Sequence, residues 1–189
     1  MSTDDAPDHG ALFASYEDSL TPDERAREEG RRAVNAAILR MAGAAGAPLH
    51  ERPIVPDSAI TVTDTDPLSG IGFALMLDGA ARQKLYHYIT LARQEGASWR
   101  DVGRALHLER VAEERGASLG EAAFEYAAGE PSQPYDRLWF SWTCPACQGH
   151  VIDYGPYDHP ADCERGHGEG CRRLAAAVAA WGAQWADED

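Results

Sequence analysis

All four cysteines of this 189-residue chain lie beyond residue 143, and their spacing constrains the fold more than any other feature. Trp142-Thr143-Cys144-Pro145-Ala146-Cys147-Gln148-Gly149 places Cys-x2-Cys directly after Leu138–Trp142, which reads as a strand. This spacing forms a tight knuckle. Two thiolates converge on one ion while backbone amides donate to the sulfurs. A closed tetrahedral site needs two more ligands. The stretch from Cys163 to Cys171 offers Cys163, His167 and Cys171.

Two ligand sets follow. Cys144, Cys147, His167 and Cys171 give a Cys3His site, and this set is preferred. Cys144, Cys147, Cys163 and Cys171 give a four-cysteine site, with Cys163 as the alternative fourth ligand. His-x3-Cys spans one helical turn, so His167 and Cys171 are expected at the start of the last helix. Gly166, Gly168 and Gly170 oppose regular helix there. His150 and His159 lack partner spacing. Zn2+ is the expected ion. No βαβ pattern surrounds the pair to suggest a redox dithiol, and four protein ligands leave no open catalytic position. His150–Tyr154 reads as a return strand. Leu174, Val178, Trp181 and Trp185 form one stripe of a terminal helix. Together these predict a ββα module over residues 137–189 that needs zinc as its staple.

The rest of the chain reads as helical. Residues 1–20 are expected to be a disordered acidic tail. Residues 21–46 form an N-terminal helix, opened by Thr21-Pro22-Asp23-Glu24 as a capping box and carrying Val34, Ile38 and Met41 on its apolar stripe. Residues 47–66 are a connector, with Ile60–Thr63 as one short strand. Residues 67–129 form a helical domain. Leu68, Ile71, Leu75 and Met76 are expected to be buried. A helix from about Gly79 to Glu95 turns Ala81, Leu85, Tyr88, Ile89 and Ala92 inward. Further helices begin at Ser98 and Ser118, with one between them over 108–115. Gly129–Pro134 is the expected domain boundary. The fold class is therefore mainly α, a helix-turn-helix-like helical domain with a small C-terminal zinc-stabilised ββα module.

Charge narrows the partners. The formal net charge is −14, which excludes a generally cationic nucleic-acid coat. Residues 79–116 are the exception, with seven cations against five acids. Arg93, Arg100, Arg104, Arg110 and Arg115 are the candidate phosphate contacts. Within this stretch Leu91–Leu106 resembles the first two helices of bacterial helix-turn-helix regulators, but His107 stands where the turn glycine is usual. The following helix carries Glu109, Glu113 and Glu114, which oppose phosphate. No apolar run reaches the roughly 20 residues of a membrane span. The acidic Met1–Asp5 start is unlike a signal peptide, so a cytoplasmic location is expected.

Residues 80–175 as a whole resemble uncharacterised actinobacterial proteins. In these a helix-turn-helix-like segment, with a stretch like Gly120–Gly129, precedes a Cys-Pro-x-Cys module ending in Gly-His-x3-Cys. The resemblance implies His167 as a ligand in preference to Cys163, and implies no activity. The expected function is a non-enzymatic, zinc-binding regulatory protein of transcription or DNA-associated processes. Its alternative is a protein–protein interaction adaptor with purely structural zinc. Weak DNA contact or a basic protein is the expected partner, and no small-molecule substrate or membrane is indicated. Phosphate-loop, nucleophile and His-Glu-x-x-His motifs are all lacking.

Overall fold

The computed structural model describes residues 19–55, 59–129 and 137–186. The expected acidic tail therefore lies almost wholly outside the described residues, as does most of the Gly129–Pro134 boundary. The chain forms two compact units, divided after Ala81. No helix among the described residues is long and apolar enough to cross a membrane.

The first unit opens with α1 (Pro22–Ala44). Thr21 and Glu24 cap it reciprocally, as the sequence predicts, with Pro22 at its first position. The connector holds more structure than expected. Leu49–Pro53 (β1) pairs antiparallel with Thr61–Thr65 (β2). Pro48 and Pro53 obscured β1 in the sequence, yet Pro53 sits at the strand end, where its missing N–H costs no ladder bond. α2 (Pro67–Glu95) then runs unbroken for 29 residues. The expected break near Gly79 does not occur. One internal glycine costs only about 1 kcal/mol, which a helix of this length absorbs. The burial expected for Leu68, Ile71, Leu75 and Met76 is absent too. They are 79%, 66%, 70% and 58% exposed.

In the second unit the carboxy-terminal part of α2 does pack inward, through Ile89 and Arg93. Leu85 and Ala92 are half-buried, whereas Ala81 and Tyr88 are exposed, against expectation. Three short helices follow: α3 (Trp99–Ala105), α4 (Glu109–Arg115) and α5 (Leu119–Ala128). Ser98 with Asp101, and Ser118 with Glu121, form capping boxes that start α3 and α5. His107, between α3 and α4, takes the left-handed conformation at φ 54° that glycine usually supplies.

The cysteine module is built on β3 (Phe140–Thr143), β4 (His150–Asp153) and β5 (Glu164–Arg165), in that order and antiparallel. A short helix, α6 (Pro160–Cys163), leads into β5, and α7 (Arg172–Ala186) follows. The ββα expectation thus missed α6 and β5, which are too short to leave a periodic signal. Phe140, Trp142 and Val151 share one core with Ile89, Trp99, Val102 and Phe124 of the helices. Trp99 meets both Phe124 and Phe140 edge-on, with centroids 5.2 and 5.4 Å apart. Side chains of α2 also serve the outer edge of β3. Gln94 Nε2 donates to the Thr143 carbonyl at 3.0 Å.

Candidate metal centre

Four donors converge at the knuckle. The Sγ atoms of Cys144, Cys147 and Cys171 and one ring nitrogen of His167 all lie within 4.8 Å of one another. Cys144 Sγ is 3.7 Å from Cys171 Sγ, and Cys147 Sγ is 3.8 Å from His167 Nδ1. A tetrahedron with metal–sulfur bonds of about 2.3 Å has edges of about 3.8 Å. None of the four cysteines is in a disulfide. The cluster therefore fits one metal ion.

Local sequence explains the convergence. Cys144 accepts from Gln148 N–H at 2.8 Å and donates to Gly149 O at 2.9 Å, which closes the knuckle. Gln148 is left-handed at φ 59°. The knuckle then presses on the loop after β5. A Cβ on Gly149 would stand 2.3 Å from the Gly166 carbonyl oxygen, and one on Gly166 would stand 2.1 Å from that of His150. Only glycine at both positions lets the two backbones approach this closely. That contact brings His167 to Cys147. His167 and Cys171 are not on one helical turn, as the spacing had suggested. Gly166 and Gly170 have positive φ, and α7 begins only at Arg172.

The thiols differ. Amide N–H groups of Gly168 and Gly149 hold the Cys147 thiol down to about 6, with a further contribution from His167. Burial pushes the Cys144 thiol up. Cys163 stands apart from the cluster. It ends α6, is buried, and has its thiol pushed up by that burial. His159 caps α6, accepting through Nδ1 from Ala161 N–H, and His150 sits exposed at the start of β4.

Behind the cluster lies a buried charged network. His167 Nε2 faces Glu164 Oε2 at 3.2 Å. Glu164 also accepts from Arg93 Nη2 at 2.6 Å and from Arg173 Nη1. Arg93 donates to Asp153 Oδ2 at 2.7 Å, and so does Trp99 Nε1 at 2.9 Å. Arg93, Asp153 and Glu164 are 4%, 1% and 6% exposed, so each charge must be compensated within the fold. Arg93 reaches Ala97 O through Nη1, and Arg173 Nη2 reaches Arg93 O. The sequence reading missed Asp153, Glu164 and Arg173. One signal was present: Arg93 continues the Leu85, Ile89 spacing and so lies on the inward face of α2.

Of the candidate phosphate contacts, Arg100, Arg104, Arg110 and Arg115 are exposed and Arg93 is not. Arg93 is a correction: it is buried in the network and cannot reach a phosphate. Arg104 pairs with Asp101 at 2.9 Å, Arg110 with Glu114 at 3.6 Å and Arg115 with Glu125 at 2.6 Å. Arg100 is exposed on α3. No family model, curated protein or solved structure matches this chain.

Proposed function

We propose that the chain is a non-enzymatic interaction adaptor whose second unit is held together by one structural zinc ion. The convergence of Cys144, Cys147, His167 and Cys171 within 4.8 Å carries this reading. Three thiolates and one imidazole in tetrahedral spacing suit zinc, and four protein ligands leave no coordination position for a substrate. The metal would tie the knuckle to α7. Both contribute to a core shared with the helices, so the ion stabilises the whole unit.

The adaptor reading is preferred to direct DNA binding because of the arginines. Of five nominated contacts, one is buried and three already neutralise a neighbouring carboxylate. The outward residues of α4 include Glu109, Glu113 and Glu114, which would face phosphate at close range. Fluorescence anisotropy with labelled random duplex at low salt tests this. Zinc-loaded protein is expected to leave the duplex unbound at micromolar concentration. Binding that weakens steeply with salt would overturn the adaptor reading in favour of a DNA-associated regulator.

A further inference from the structure

Resting on the zinc reading above, we infer that the metal centre is a redox switch, opened when hydrogen peroxide oxidises Cys147 and Cys144 closes on it as a disulfide. The three cluster thiols are not equally placed. Cys144 and Cys171 are 0% and 7% exposed, whereas Cys147 is half-buried. Its knuckle neighbours Pro145 and Gln148 are exposed. A metal ligand is held as thiolate, the form that attacks an oxidant, so accessibility selects among the three. Cys163 is buried and lies outside the cluster, so it is neither target nor partner.

The chemistry balances with peroxide as the oxidant. The Cys147 thiolate attacks one peroxide oxygen. An S–O bond forms, the O–O bond breaks and hydroxide leaves, so the sulfur loses two electrons and becomes a sulfenic acid. The Cys144 thiolate then attacks that sulfur. An S–S bond forms, the S–O bond breaks and a second hydroxide leaves. Two protons from solvent turn the hydroxides into water. The cluster donors lie within 4.8 Å of one another, so the resolving thiolate already stands beside the oxidised sulfur.

Cys144 is the partner because the knuckle holds it there. Its backbone accepts from Gln148 N–H at 2.8 Å and donates to Gly149 O at 2.9 Å, bonds that involve no metal. Cys171 lies 27 positions from Cys144, on a segment that turns through Gly166 and Gly170 at positive φ before α7. The disulfide and the ion exclude each other. An S–S bond of about 2.05 Å replaces a tetrahedral edge of about 3.8 Å, and only His167 and Cys171 remain as donors. Two donors do not close a zinc site. Oxidation therefore unties the loop from Gly166 to Cys171, and the start of α7, from the knuckle. Reduction of the disulfide restores all four donors, which makes the switch reversible.

Zinc release and disulfide mapping on the full chain test the switch. Metal content is measured first, on untreated protein. A chain without zinc sinks the zinc reading and the switch together. A chain that holds zinc and keeps it under a small excess of hydrogen peroxide sinks the switch alone. The expected result is complete transfer of the zinc to a chromophoric chelator, with recovery of binding after phosphine reduction and added zinc. At early times a cyclic dione that traps sulfenic acid should label Cys147 and no other cysteine. At completion, peptide mapping should find Cys144 joined to Cys147 and Cys163 still free. The Cys163→Ser variant should release zinc at the parent's rate. First labelling at Cys144 or Cys171, or a disulfide that includes Cys171 or Cys163, would overturn the inference. So would slower release in Cys163→Ser, or release with no disulfide formed.

Discussion

Glu164 Oε2 lies 3.2 Å from Nε2 of His167, while the opposite ring nitrogen, Nδ1, faces the Cys147 sulfur at 3.8 Å. Nδ1 is thus the ring nitrogen turned to the thiols, and the carboxylate fixes the ring from behind, as outer partners of metal-bound histidines do. Glu164 is also tied to Arg93 and Arg173, so the ring is positioned by groups on three elements of the unit.

The first consequence concerns metal affinity. Glu164→Gln should weaken metal binding roughly 10- to 100-fold, as loss of an outer hydrogen-bond partner does elsewhere. Competition against a chromophoric chelator measures it. Unchanged affinity would mean that Glu164 serves only the arginines.

Cysteine substitutions separate the ligands from Cys163. Cys144→Ser, Cys147→Ser and Cys171→Ser should each lose stoichiometric metal. Cys163→Ser should retain it, because this thiol lies outside the cluster. Metal content of the purified variants decides the matter.

Arg93 gives the largest expected stability effect outside the metal ligands. Arg93→Met leaves Asp153 and Glu164 buried with fewer partners, and breaking such a pair costs about 3–5 kcal/mol. Arg115→Ala, at an exposed pair, should cost no more than about 1 kcal/mol. Denaturant unfolding of both variants checks the contrast.

The capping box of α3 predicts a pH dependence. Hydrogen bonds from the Ser98 hydroxyl and then its backbone N–H hold the Asp101 carboxyl below its ordinary 3.8. A lowered folded-state value means the stabilisation is complete above 3.8 and is lost as pH falls through the lower value. Asp101→Asn weakens the N3 half of the capping box and should therefore cost about 0.3–1.5 kcal/mol at neutral pH. The difference between variant and parent should shrink in acid. A difference that stays constant to pH 2 would contradict the cap's role.

Much of this was legible in the sequence where the cause is local. Thr21, Ser98 and Ser118 announce their helices because capping chemistry acts over four residues. The knuckle is equally local, and the preference for His167 over Cys163 agrees with where the donors meet. The burial of Arg93 was not legible, because its partners Asp153 and Glu164 are 60 and 71 positions away. The stripe from Leu68 to Met76 misled in the opposite direction. Periodicity marks a face that avoids water, and it does not say whether the cover comes from the same chain. His107, standing where a turn glycine is usual, takes the left-handed conformation between α3 and α4, which histidine can adopt at modest cost.

Native mass spectrometry of the intact chain, before and after chelation, tests the central claim most directly. One zinc ion per chain is expected. Its removal should shift the charge-state envelope to the highly charged ions of an unfolded second unit. A chain that carries no metal, or one that loses it with the envelope unchanged, would contradict a structural metal centre at Cys144, Cys147, His167 and Cys171.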